Sequence, residues 1–365
     1  MHKAGTLLGA IALAVVSSAA GYAQQHYLQT NLVADTPGIA PVTDPNLVNP
    51  WGLARSSGSP WWVGDNGPGL ATLYGGAGNI VPLVVTIPSG DTSVSPTGTP
   101  TGTVFNGGTD FQIAKNQPAT FLFVTEDGTI SGWNHNVNPT KAILKINTKS
   151  ASVYKGATIA TINLPVLGAR SFLYVADFRK GHLQIFDSSF RHLPTIEELF
   201  DDDRIPAGFA PFNVQNIGGN IFVSYAQQDA DKKDEVDGAG LGYVDVFSPI
   251  GRLLLRLQHG PWFNAPWGMT QAPSDFGAFS HNILIGQFGS GEILAFNPVT
   301  GQFKGRLRDA KNQPITIDGL WSLQFGNGTG AGPATALFFT AGTNHEQDGL
   351  FGNITAVENV QGNDQ

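Results

Sequence analysis

Oxygen-bearing side chains recur in this sequence at corresponding places beside short apolar runs. Asn49, Asn264 and Asp318 precede the runs that contain Trp51, Trp267 and Trp321, while Asp65, Asp127, Asp177, Asp229, Gln287, Asn344 and His345 follow a second set of runs. Carboxylate and amide oxygens gathered in this way suit a hard cation such as Ca²⁺, which takes several oxygen ligands. The same residue types also cap turns by bonding nearby backbone N–H groups. Both uses stay open on sequence grounds.

The densest acidic segment is Asp229-Ala-Asp-Lys-Lys-Asp-Glu-Val-Asp237-Gly. Asp229, Asp231, Asp234 and Asp237 offer carboxylates for a Ca²⁺ site. Otherwise the segment is a solvated loop in which Lys232 and Lys233 neutralise their neighbours. It is not an EF-hand loop, because Lys233 stands at the fifth position. Other chemistries lack their signatures. His345-Glu-Gln-Asp-Gly349 has no second His for a zincin helix, and neither a Gly-x-Ser-x-Gly elbow nor a phosphate loop with its Lys occurs. His182 and His259 read as surface or packing residues, and Arg170 and Arg179, which flank one strand, as surface charges or an anion site. The chain has no cysteine, which excludes disulfides, thiolate metal sites and cysteine nucleophiles.

The elements that would position these residues form a repeat. Six times, an apolar strand ends in a polar turn and a glycine opens a second strand: Gly69 to Tyr74, Gly128 to Trp133, Gly181 to Phe186, Gly242 to Phe247, Gly291 to Phe296 and Gly352 to Val357. The preceding runs, such as Phe121 to Thr125 and Leu337 to Ala341, are nearly continuous in apolar residues. Strands covered on both faces read that way. The period of about 57 residues exceeds the roughly 40–50 of common propeller blades, with the excess in loops. A third element, Asn49-Pro-Trp-Gly-Leu53 and its counterparts at Ala265 to Met269, Gly319 to Leu323 and Ala210 to Val214, reads as the innermost strand. Fourth strands read at Val81 to Ile87, Ala142 to Ile146, Leu253 to Leu257 and Phe303 to Leu307. None follows the sixth hairpin, so Tyr27 to Val33 is expected to complete the last blade. The fold expected is an all-β, six-bladed β-propeller with four-stranded blades, closed by the N-terminal strand. In that architecture the loop leading into an innermost strand and the turn after a second strand share one face, so the polar residues converge.

Composition agrees with short strands and tight loops: Gly 46, Pro 23 and 13% charged residues. The formal net charge of −8 argues against nucleic acid or an anionic membrane as partner. Residues 1–23 read as a secretory signal, with Lys3, the apolar stretch Leu7 to Val16 and the small-residue site Gly21-Tyr22-Ala23. The expected organisation is a signal peptide over 1–23, one propeller over 24–358 and a short disordered tail over 359–365. The expected location is periplasmic or extracellular, with no membrane span once the signal is cleaved.

Asn49-Pro-Trp-Gly-Leu followed by strands such as Leu173-Tyr-Val-Ala-Asp177 resembles NHL-type repeats and the calcium-dependent gluconolactonase and phosphotriesterase propellers. More closely, Ala176-Asp-Phe-Arg-Lys-Gly-His-Leu-Gln-Ile-Phe186, Ser224-Tyr-Ala-Gln-Gln-Asp229 and Asp348-Gly-Leu-Phe-Gly352 make the chain similar to a family of uncharacterised exported bacterial propellers. The gluconolactonase likeness implies a channel-mouth metal held by a Glu, two Asn-type ligands and an Asp. Asn49, Asn264 and Asp318 match it in part, and the expected Glu is missing. The leading expectation is a scaffold that binds a small molecule or a protein on its hairpin-loop face. The alternatives are a Ca²⁺-dependent hydrolase of lactones or phosphoesters at the channel mouth and a structural envelope-associated protein.

Overall fold

The computed structural model describes residues 26–166 and 168–357. The expected signal, its cleavage site and the tail lie outside them. Within them the chain is a six-bladed propeller. The innermost strands, blades 1 to 6, are Pro50–Ala54, Pro100–Phe105, Tyr154–Leu164, Phe209–Ile217, Pro266–Gln271 and Leu320–Phe325. Each pairs antiparallel with a second strand: Trp61–Asp65, Phe121–Thr125, Gly168–Asp177, Asn220–Gln228, Ile283–Gln287 and Leu337–Ala341. The third strands are Leu70–Tyr74, Thr129–Trp133, His182–Asp187, Tyr243–Phe247, Ile293–Phe296 and Leu350–Val357.

The second strands of blades 1, 2, 5 and 6 are buried at every residue, as their apolar runs require. The core accordingly lies in the seams between sheets. Leu284, Ile293 and Ala295 of blade 5, for example, pack with Leu323, Leu337 and Phe339 of blade 6. The expected ring closure is present: His26–Ala34 runs antiparallel to Leu350–Val357 as the fourth strand of blade 6.

Two details differ from the sequence reading. Blade 3 has three strands, and a Phe186–His192 bridge with a 3₁₀ turn over Pro194–Leu199 stands where a fourth would be. In blade 6 the third strand begins at Leu350, so Gly352 lies inside it opposite Phe339, and Gly349 holds the turn position.

Every innermost strand carries the same irregularity. In five blades its first residue pairs with the last residue of the second strand (Pro50 with Asp65, Pro100 with Thr125, Tyr154 with Asp177, Pro266 with Gln287, Leu320 with Ala341), in blade 4 its third residue, Pro211, pairs with Tyr225, and in each an extra residue follows at once. Such a bulge re-aims the side chain beside it. The residue after each pairing is Trp51, Thr101, Lys155, Phe212, Trp267 or Trp321, and the next is small: Gly52, Gly102, Gly156, Asn213, Gly268 or Ser322. At Gly102 a Cβ would sit 2.7 Å from the Ala157 amide nitrogen, so the inner strands approach too closely for a side chain there.

Candidate functional site: the channel mouth

The bulges bring five of those six side chains together at the axis. Trp51 stacks on Trp321 with ring centres 3.4 Å apart, and Trp267 meets both edge-on at 6.0 and 5.8 Å. Phe212 packs on Trp321 at 5.9 Å. These rings close the channel toward the hairpin-loop face. Thr101 instead donates its hydroxyl to the Tyr154 carbonyl at 2.7 Å. The remaining member is Lys155, at a position that holds Trp in three blades and Phe in a fourth. Its ammonium lies 4.8 Å from the Trp51 ring and 5.9 Å from Phe178, inside the range of cation–π attraction.

Lys155 is 1% exposed and is met by carboxylates from other blades. Glu126 of blade 2 lies at 2.7 Å, and Asp234 and Glu235 of blade 4 lie at 3.2 and 3.9 Å. Burial alone would lower the ammonium's pKa, but Glu126, Glu235 and Asp234 outweigh it and hold the group above the ordinary lysine value. Burial pushes Glu235 up to about 7 despite the pull of Lys155. Burial also raises Glu346, against the hydrogen bond from Asn49.

The polar set continues around the mouth. Asn49 Nδ2 donates to Glu346 Oε2 at 2.7 Å, Asn49 Oδ1 accepts from Trp321 Nε1 at 3.0 Å, and Asn66 Nδ2 donates to Glu126 Oε2 at 3.0 Å. Glu346 reaches Asn49 from a strained turn: Asn344, His345 and Glu346 have φ of 55°, 55° and 65°. Left-handed backbone disfavours each such L-residue by about 1–2 kcal/mol and is ordinarily adopted by single residues. The turn is held by Asp318 Oδ2, which accepts the Asn344 N–H at 2.8 Å, and by the Asp348 N–H donated to the Thr343 carbonyl.

Of the residues singled out from sequence, Asn49 and Asp234 enter this cluster. Asp318 and Asn264 instead secure backbone, the latter accepting the Gly238 N–H at 2.6 Å. Gln287 accepts from Asn264 N at 2.8 Å. Asp127 staples the loop before blade 2 through Gly90 N at 2.6 Å and Thr99 N at 3.4 Å. Asp177 accepts from Val153 N and Lys180 N. Asp65 is fully buried, bonded through Oδ2 to Thr72 Oγ1 at 2.8 Å, and burial raises its pKa well above the usual carboxylate range. Asn344 and His345 are exposed.

The four aspartates 229, 231, 234 and 237 are not gathered around one point. Asp229 caps Lys233 N at 2.8 Å, Asp234 bonds Lys155, and Asp231 and Asp237 are exposed. Among the described residues no group of three or more His, Asp or Glu side chains is arranged to hold a metal ion. His259 stacks on Tyr243, and His182 faces Glu197. Arg170 and Arg179 donate to the Ala169 and Ser150 carbonyls.

Sequence reasoning missed Glu126, Lys155, Glu235, Glu346 and Asn66. A signal for Lys155 existed: Tyr154-Lys155-Gly156 aligns with Pro50-Trp51-Gly52 and Pro266-Trp267-Gly268, placing a cation where the repeat puts an aromatic ring. Asn66 and Glu346 each sit one residue after a turn residue that was noticed, and Glu126 one residue before one.

A cleft of about 430 Å³ adjoins the cluster, lined by Glu126, Asp127, Ser150, Arg179 and Lys233. On the opposite face the channel opens through a mouth of about 190 Å³ lined by Thr103, Gln215, Asn216 and Gln324, and no carboxylate lines it. No helix among the described residues is long and apolar enough to cross a membrane.

No family model matches the sequence. Among solved structures, a streptogramin B lyase superposes with a TM-score of 0.50 at 10% identity, covering 91% of this chain and 98% of that one. A Bacteroides thetaiotaomicron protein of unknown function gives 0.54 at 10% identity, over 92% and 77%. At such identities the likeness is one of fold. Two proteins of Acanthamoeba polyphaga mimivirus are nearer in sequence, each 30% identical over 336 residues and 88% of this chain: uncharacterized protein R648, over 78% of its length, and uncharacterized protein L690, over 84%. These relatives are viral, which corrects the expectation of a bacterial family. With that identity and coverage, the chain belongs to the propeller family that includes these two mimivirus proteins.

Proposed function

We propose that this propeller is an exported binding module whose ligand engages the centre of the hairpin-loop face. The observation that carries the reading is Lys155, buried among carboxylates where the repeat elsewhere places Trp or Phe. An aromatic residue would close the channel without desolvating charge, and a buried ion-pair cluster is a weak source of stability compared with apolar packing. A left-handed run of three non-glycine residues beside it adds strain at the same point. Strain and buried charge concentrated at one place are the usual marks of a working site. The hydrolase reading ranks behind, because Asn264 and Asp318 are engaged with backbone groups. Export is supported by the charged, apolar and small-residue segments of residues 1–23.

A thermal-shift screen of sugars, carboxylates, amines and divalent cations tests the reading, since a ligand that binds the folded state raises its melting temperature. Hits should lose their shift in Glu346→Gln and Asn49→Ala. Hits indifferent to both substitutions would contradict it. Mass spectrometry of the exported protein should find Gln24 as the first residue.

A further inference from the structure

The segment Asp229–Gly240 is longer than the corresponding turn of any other blade. It folds inward. Glu235 and Val236 pair with Gln228 and Gln227. Asp234 and Glu235 reach Lys155 of blade 3, and the Gly238 N–H is pinned by Asn264 of blade 5. The segment therefore spans the mouth from blade 3 to blade 5. Residues 230–234 are exposed, while Lys155 and Trp51 beneath are each 1% exposed.

We propose that Asp229–Gly240 is a lid, and that its Asp234–Glu235 pair occupies a carboxylate-binding site made by the Lys155 ammonium and the Trp51 ring. The ligand class is a carboxylate carried on a flat apolar body. This rests on the channel-mouth reading above. Two of the three carboxylates on Lys155 belong to the lid, and the third, Glu126, stays with the propeller when the lid moves. A carboxylate from solution restores the contacts that the lid gives up. Charge-assisted hydrogen bonds of this kind are the strong ones. Trp51 supplies a second, independent sign: its Nε1 is buried with no hydrogen-bond partner among the described residues, a donor that an incoming carboxylate oxygen can satisfy.

The lid is also poised to respond to pH. Glu235 faces Lys155, Asp234 and Glu346. Closing the lid favours its protonated form, so closure is most stable at low pH and weakens as pH rises through about 7.

Isothermal titration of the full-length protein with benzoate tests the proposal, with benzyl alcohol as a control that lacks the carboxylate. The wild type should bind benzoate more tightly at pH 8 than at pH 6. Asp234→Ala combined with Glu235→Ala should tighten binding at least tenfold and remove the pH dependence. Asn264→Ala, which frees Gly238 without touching the ion cluster, should tighten it several-fold and stands in if the double variant does not fold. Lys155→Met should abolish binding while benzyl alcohol remains inert throughout. Equal benzoate affinity in the wild type, the lid variants and Lys155→Met would overturn the proposal, as would absence of binding in all of them. If another compound from the thermal screen still depends on Asn49 and Glu346, the channel-mouth reading survives and only the carboxylate lid falls.

Discussion

Lys155 concentrates the electrostatics of the molecule at one atom. Removing the amine leaves Glu126 and Glu235 buried without their cation, so Lys155→Met should destabilise the fold by about 3–5 kcal/mol at pH 8. The loss should shrink toward pH 5, where Glu235 and Glu346 accept protons more readily than ordinary carboxyls. Adding Glu126→Gln and Glu235→Gln to the same chain should recover most of it, and urea melts at the two pH values measure both effects. Asp65 gives a second test of buried charge. Its carboxyl is raised by burial, so its stabilising form is the protonated one, favoured at low pH and lost as pH rises through its folded value. Asp65→Asn should melt with the parent at pH 4 and above it at pH 9, by the equivalent of about 1–3 kcal/mol. Equal melting at both pH values would mean that Asp65 carries no buried charge.

The element that completes the ring is His26–Ala34, which supplies blade 6 with its outer strand and buries Tyr27 against Phe276. A chain starting at residue 35 leaves the edge of Leu350–Val357 open, and open edges recruit other chains. It should therefore elute as aggregate, with broad, low melting. A monomer with unchanged melting would show that closure contributes nothing. This strand was legible in the sequence because a repeat ending without its fourth strand left one strand unassigned at the other terminus. The hairpins were legible because strands packed on both faces read as unbroken apolar runs. The innermost strands of blades 2 and 3 were not: the bulge breaks their alternation, and Pro100-Thr101-Gly102 and Tyr154-Lys155-Gly156 lack the tryptophan that marked the others. Blade 3 hid its departure for a different reason. Glu197, accepting from Ile185 N at 3.2 Å and facing His182 and His192, caps the sheet edge through side chains, which leave no strand-like pattern.

At the scale of the whole molecule, six copies of one hairpin deliver loops from every blade to the same face, so residues as distant in sequence as Asn49 and Glu346 bond directly. The convergence followed from the repeat. The identity of the converging residues did not, since it depends on which turn residues bond their own backbone and which reach the axis. The opposite mouth, with Thr103 and Gln324 around it, is the competing location for a ligand on the same channel. Hydrogen exchange read by mass spectrometry, with and without a compound that stabilises the wild type, separates the two most directly. Slowed exchange is expected at residues 343–349 and the turn around Asn49, while residues 229–241, which a carboxylate ligand displaces from Lys155, should exchange as fast as before or faster. Protection centred instead on the strands at Thr103 and Gln324, with the hairpin-loop face unchanged, would contradict that expectation.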